Sequence, residues 1–130
     1  MLEGFRIINL VSGLPSLSIT KNGVGFNKAA IVKMEYAEKV LLMINDSNKM
    51  LAIQKCESDN PSATLFYKKQ KNVIVRWNNT DLLNTLERIM DWDVKKVGYK
   101  VTGDYSSENS ALIFDLKEAT QIGDGEVNDD

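Results

Sequence analysis

The side chains in this sequence best placed to do chemistry are lysines. Lys21 opens the turn Lys21-Asn22-Gly23, Lys28 and Lys33 follow Asn27, and Lys68-Lys69-Gln70-Lys71 continues to Arg76 with no acid between Asp59 and Asp81. Ammonium and guanidinium groups contact phosphate, and a helix N-terminus adds free N–H donors and positive partial charge. Phe66, Tyr67 and Trp77 interleave with the later cluster, an arrangement that permits stacking on bases or a cation-π contact. A solvated loop whose aromatics belong to the core is the competing reading of that cluster. No arginine pair stands on a recognisable helix for bidentate reading of guanine, so the pattern speaks for backbone contact rather than sequence readout.

Other chemistry is largely excluded. The chain has no histidine and one cysteine, Cys56. That removes Cys/His zinc sites, an internal disulfide, and every Ser-His or Cys-His nucleophile pair. An enzyme would have to move protons with carboxylates, lysine or tyrosine. Asp91 and Asp93 flank Trp92 without a second acid at a metal or acid-base spacing, and they read as surface charges. Cys56 ends an apolar run and reads as a structural thiol. Asn45-Asp46-Ser47 and Asn78-Asn79-Thr80 match a glycosylation acceptor pattern but read better as a turn and a helix cap. The expectation is a non-enzymatic protein with no cofactor and no metal.

Composition bounds the rest. A chain of 130 residues with 43% hydrophobic content fits one domain with a substantial core. No run of 18 apolar residues exists, and Glu3 and Arg6 interrupt the first apolar stretch, so neither a membrane span nor a signal peptide is expected. The expected compartment is a reducing cytoplasm. The net charge is -2, but residues 119–130 hold Asp124, Glu126, Asp129 and Asp130 without a base, which leaves +2 for residues 1–118. So small an excess makes the placement of the lysines decisive.

The elements that must position those lysines follow from periodicity and caps. Phe5 to Val11 suggests a strand within residues 1–16. Leu17 and Ile19 alternate with polar residues, Gly23 permits the turn, and Val24 and Phe26 resume the alternation as a hairpin. Asn27 caps a helix expected over Lys28 to Glu35. Val40 to Ile44 is apolar on both faces, as for a strand covered by the core on one side and a second subunit on the other, and Met50 to Ile53 returns as its hairpin partner. Glu57 to Ser62 reads as a linker and Thr64 to Tyr67 as a short edge strand. Val73 to Trp77 suggests a strand, Asn78-Asn79-Thr80 caps a helix with Leu82, Leu86 and Ile89 on one stripe, and Val97 to Thr102 begins another hairpin. Its loop is expected over Gly103 to Ser110, and Leu112 to Leu116 closes it. The tail over residues 119–130 is expected to be acidic and unstructured.

The order recurs. Val24-Gly25-Phe26-Asn27 leads into a helix and a hairpin, and so does Val75-Arg76-Trp77-Asn78. Over Leu17 to Glu57 the sequence resembles the AbrB/MazE/MraZ superfamily of swapped-hairpin regulators. The likeness rests on Ser18-Ile19-Thr20-Lys21-Asn22-Gly23, Val24-Gly25-Phe26-Asn27-Lys28, the helix to Met34, and Lys39-Val40. It implies two interleaved units in one small barrel and DNA binding through basic residues of the first hairpin, with antitoxins among the members. Two positions depart from the pattern: the family's arginine after the turn glycine is Val24, and its proline before the helix is Asn27.

The sequence therefore predicts an α+β domain over residues 1–118, built of two βαββ-like units (17–57 and 73–118) about a pseudo-two-fold, as a swapped-hairpin or small double-split barrel. The expected core contains Val40, Leu42, Ile44, Ile53, Trp77, Leu86, Ile89, Val101 and Phe114. The first functional expectation is a dimeric DNA-binding transcriptional regulator using Lys21, Lys28, Lys33, Lys68, Lys69, Lys71 and Arg76 against the phosphates of duplex DNA. The alternative is an interaction module, antitoxin-like or an accessory protein of a mobile element, that engages a protein partner or a second copy without DNA. A third is a small-molecule-binding domain with its pocket between the halves. No membrane partner is expected.

Overall fold

Leu17 and Ile19 alternate with Ser16, Ser18 and Thr20. In the computed structural model, which describes residues 2–5, 13–68 and 74–122, they form β1 (Ser16–Thr20) with both apolar side chains wholly buried. Lys21 and Asn22 turn the chain into β2 (Gly23–Phe26), where Val24 faces Ile19 and Phe26 faces Leu17. Gly23 has φ +126°, and a Cβ there would lie 2.4 Å from the Trp77 carbonyl oxygen. Both the backbone angle and the close approach require glycine.

Asn27 caps α1 (Lys28–Lys33) and does more than cap it. Its Oδ1 accepts from the Ala30 N–H at 2.9 Å and from the Ser16 N–H at 3.0 Å, while its Nδ2 donates to the Leu14 carbonyl at 2.9 Å. One side chain starts the helix and fastens the entry to β1. The helix stops two residues short of the expected Glu35, because Glu35 and Tyr36 turn left-handed at φ 56° and 55° and the Tyr36 N–H reaches back to the Ile31 carbonyl at 3.0 Å. The reversal sends the chain back along the sheet.

The expected hairpin follows as β3 (Lys39–Asn45) and β4 (Met50–Lys55), then the short strand β5 (Thr64–Leu65) and β6 (Val75–Trp77). The second helix, α2 (Thr80–Met90), is capped by Asn79, whose Oδ1 accepts from the Leu82 N–H at 2.9 Å. Next come β7 (Gly98–Ser106), β8 (Ala111–Asp115), a 3-10 turn over Leu116–Glu118, and β9 (Thr120–Ile122).

Two expectations about this end are corrected. The loop is not Gly103 to Ser110, since Gly103 to Ser106 pair with Phe114 to Ala111 and only residues 107–110 turn. The tail is not unstructured from residue 119, because Thr120 to Ile122 pair with Lys100 to Gly98 along an edge of β7 that β8 leaves open. The strand expected within residues 1–16 lies mostly outside the described residues, as do Lys69, Lys71 and the acidic end from residue 123.

The described strands form one antiparallel sheet in the order β5-β3-β4-β8-β7-β1-β2-β6, with β9 on β7, and it curls into a half-barrel with two helices. The curl brings Phe26 of β2 to 5.3 Å from Phe66 and 5.9 Å from Phe114 of β8, measured between ring centroids. This is the expected small α+β class. Each strand of the first half is hydrogen-bonded to a different strand of the second: β1 to β7, β2 to β6, β3 to β5 and β4 to β8.

Of the expected core, Val40, Ile53, Leu86, Val101 and Phe114 are buried, and Leu42, Ile44 and Trp77 pack against it half-buried. Ile89 is also half-buried but sits in the last turn of α2, beyond the contact made by Leu82 and Leu86. On the outer face of β3, Met43 is 40% exposed and Leu41 is half-exposed.

The two long hairpins correspond in detail. The last turn residue is left-handed in each, Lys49 at φ 55° and Ser110 at φ 50°. The Lys55 N–H donates to the Ser110 carbonyl, and reciprocally the Leu116 N–H donates to the Lys49 carbonyl, both at 3.0 Å. Within the turns, the Asn48 N–H donates to Asn45 Oδ1 and the Asn109 N–H to Ser106 Oγ. The β4–β8 pairing is centred on Ala52 and Ile113, and the β2–β6 pairing on Gly25 and Arg76.

Candidate functional site

The β2–β6 ribbon organises the basic side chains. Val24 and Phe26 point into the core from β2, and Val75 and Trp77 do so from β6, so Gly25 and Arg76, directly paired, share the outer face. A Cβ on Gly25 would sit 3.7 Å from the Arg76 guanidinium, which therefore lies across the ribbon's centre. Trp77 locks the ribbon from within. Its ring stands edge-on to Phe26 at 5.0 Å, and its Nε1–H donates to the Leu65 carbonyl at 2.9 Å, linking the two ends of the sheet order.

Lys21, exposed in the β1–β2 turn, lies at the Trp77 end of the ribbon, as the approach of Gly23 to the Trp77 carbonyl shows. Lys28, exposed at the start of α1, lies at the opposite end, where Phe26 pairs with Val75. Lys68 is exposed and lines a cleft of about 480 Å³ with Tyr67, Ile74 and Arg76, which places it at that same end. Cations thus flank both ends of a strand pair roughly 10 Å long, with Arg76 between them.

Lys33 stands apart from this group. At the far end of α1 it sits over the Tyr105 ring, 5.6 Å from the centroid, where a cation-π contact accounts for its position. Phe66 and Trp77, interleaved in sequence with the basic cluster, pack inward on Phe26, and Tyr67 packs edge-on to Tyr36 at 5.1 Å. The competing reading of those aromatics as core residues holds for Phe66, which is buried, and in part for the half-buried Trp77 and Tyr67.

Lys100 is a cation that the sequence reading missed. It pairs with Ser18, which pairs in turn with Gly25, so an outer row runs Arg76, Gly25, Ser18, Lys100 across β6, β2, β1 and β7. Only the register between strands some eighty residues apart reveals it. A second cleft, of about 430 Å³, is lined by Leu42, Thr64, Arg76, Trp77, Asn78 and Asn79.

The acids do not gather. Among the described residues no group of three His, Cys, Asp or Glu side chains is placed to hold a metal ion. Asp93 accepts from the Lys95 N–H at 3.2 Å, and Asp91 ends α2 with φ 57°. Glu35 is ion-paired with Lys55, and this hydrogen bond and charge hold its carboxyl below the ordinary 4.5. Asp115 is held below its ordinary value by a 2.9 Å contact with the Lys117 ammonium. Both acids are occupied with structural lysines. Among the described residues, no helix is long and apolar enough to cross a membrane.

No protein-family model, curated protein or solved structure matches the chain.

Proposed function

We propose that this protein is a small DNA-binding regulator of the swapped-hairpin kind, with two βαββ-like units about a pseudo-two-fold. The reciprocal hydrogen bonds of the two hairpins and the centred β2–β6 and β4–β8 pairings support the two-unit reading. In that reading β1 and β4 of the first unit pair with β7 and β8 of the second, an exchange of strands between the units. The observation that carries the DNA reading is the β2–β6 ribbon, with Lys21 at one end, Lys28 and Lys68 at the other and Arg76 at its centre. Cations spread along a ribbon suit a line of phosphates better than a single small anion.

Fluorescence anisotropy with random-sequence duplex DNA tests this. Binding at 50 mM salt that weakens steeply by 200 mM is expected, because each neutralised phosphate releases counterion. Absence of binding at 50 mM salt with micromolar protein ends the DNA reading.

A second reading rests on a different face. Leu41, Met43, Ala52 and Ile113 form an apolar strip outside β3, β4 and β8, with Met43 paired to Ala52 and Ala52 to Ile113. Such a strip favours a protein partner or a second copy of the chain. Met43→Glu should leave the fold intact and abolish any dimer seen by sedimentation; an unchanged dimer removes the strip from consideration.

A further inference from the structure

We infer that the outer face of β3-β4-β8-β7 is where two copies of this chain pack face to face, their strands crossed near a right angle and Lys39 of each copy set against Asp104 of the other. The inference rests on the reading of the apolar strip as a binding surface and goes beyond it by naming the occupant and its orientation.

The face carries one row across four strands, Met43, Ala52, Ile113 and Asp104, each paired with the next. The fold does not demand that this row be apolar. Met43 flanks Ala52 as Asp104 flanks Ile113 on the other side of the β4–β8 pairing, and two residues earlier Leu41 corresponds to Thr102. The second half is thus polar and exposed at both places where the first is apolar. The polar side chains bordering the strip are bonded within the chain. Gln54 Nε2 donates to the Asn109 carbonyl at 2.8 Å, Asn45 Oδ1 accepts from the Asn48 N–H at 3.0 Å, and Asp115 holds Lys117. Groups already bonded lose less when water leaves the face.

The register fixes the orientation. Lys39 lies four residues from Met43 along β3, roughly 14 Å, and Asp104 lies three strand spacings from Met43 across the sheet, again roughly 14 Å. A two-fold axis lying in the face and running diagonally past Met43 exchanges those two directions, which is the geometry of orthogonal sheet packing. Lys39 then meets Asp104 of the second copy, twice by symmetry, and Met43 meets its own equivalent near the axis. Leu41, about 7 Å along β3, falls between the positions of Ala52 and Ile113, about 5 and 10 Å across. Such self-complementarity selects a second copy over an unrelated protein. Lys39 spends one donor on the Ser58 carbonyl at 3.0 Å, and an ammonium has two more. The patch is small beside the about 800 Å² per partner of a standard interface, so the dimer belongs to the weak class.

Sedimentation equilibrium of the full chain, from about 5 to 200 μM, decides it, with thermal melting to check that each variant folds. Lys39→Glu and Asp104→Lys each place like charges at both contacts and should weaken the dimer by about tenfold or more. Mixing the two variants restores opposite charges at both contacts, so a heterodimer of near-native affinity should form. A native dimer that Met43→Glu abolishes but the charge reversals leave unchanged, or reversals that mixing does not rescue, overturns the crossed packing while the strip stands as a dimer surface. A native protein still monomeric at 200 μM overturns the second copy and leaves the strip to a different protein. A dimer that Met43→Glu leaves unchanged overturns both.

Discussion

Replacing Gly103 by alanine tests the packing at the point where β7 crosses the core. A methyl group there would lie 2.6, 2.9 and 3.0 Å from three ring carbons of Phe114, which is wholly buried against Phe26. In open space a Gly→Ala change in a strand gains about 0.4–1 kcal/mol by restricting the unfolded chain. Overpacking a tight core costs about 1–3 kcal/mol, and three simultaneous close contacts with an enclosed ring put this site at the upper end. The net expectation is a loss of about 2 kcal/mol, or a fall of about 1 M in the urea midpoint at unchanged slope. Phe114→Leu should relieve part of that clash, so the double variant should be at least about 1 kcal/mol more stable than the sum of the single changes predicts. A Gly103→Ala midpoint equal to or above the native value would refute the reasoning, because it would mean the ring moves aside freely.

Three further expectations follow from single side chains or from pairs of glycines. Asn27→Ala removes the cap of α1 and leaves the Ser16 N–H without its acceptor, and should cost about 2 kcal/mol by chemical denaturation, with Asn27→Asp recovering most of it through the retained oxygen. Gly23→Ala should be severely destabilising, since its φ is +126° and the Trp77 carbonyl blocks the Cβ, whereas Gly25→Ala, which meets only the Arg76 guanidinium at 3.7 Å, should leave the thermal midpoint nearly unchanged. Glu35 titrates below its ordinary 4.5 because of Lys55, so the pair's contribution is full above that pH and is lost as pH falls through the lower folded value. Glu35→Gln should accordingly narrow the difference in denaturation midpoint between pH 7 and pH 3; an undiminished difference assigns the acid sensitivity elsewhere.

What was legible in the sequence is what local rules decide. The alternation of Leu17, Ile19, Val24 and Phe26 and the caps at Asn27 and Asn79 need only neighbours to be read, and they stand where expected. The end of α1 was misplaced because the left-handed pair Glu35 and Tyr36 defies residue preference. Gly103, Asp104 and Ser106 carry turn preferences, yet pairing with β8 overrode them. Thr120 and Ile122 were read with the acidic tail because the edge of β7 that accepts them exists only in three dimensions. The same holds for the candidate site: the lysine-rich stretches were visible, but Lys100 joined Arg76 only through strand registers, and Lys33 left the group through its contact with Tyr105.

The hydrogen bonding of every first-half strand to a second-half strand fixes how this chain must fold. Neither half owns a complete sheet edge or a closed core, so no stable half-structure is available as a resting point. The last partner of β1 is made only when residues near 102 have emerged, and that of β4 only near residue 115, and until then those two strand edges stand open. Folding should therefore be all-or-none and comparatively slow, as for sheets built from distant pairings. The linker between the halves is correspondingly a place where the backbone can be nicked and the two fragments still hold each other in register.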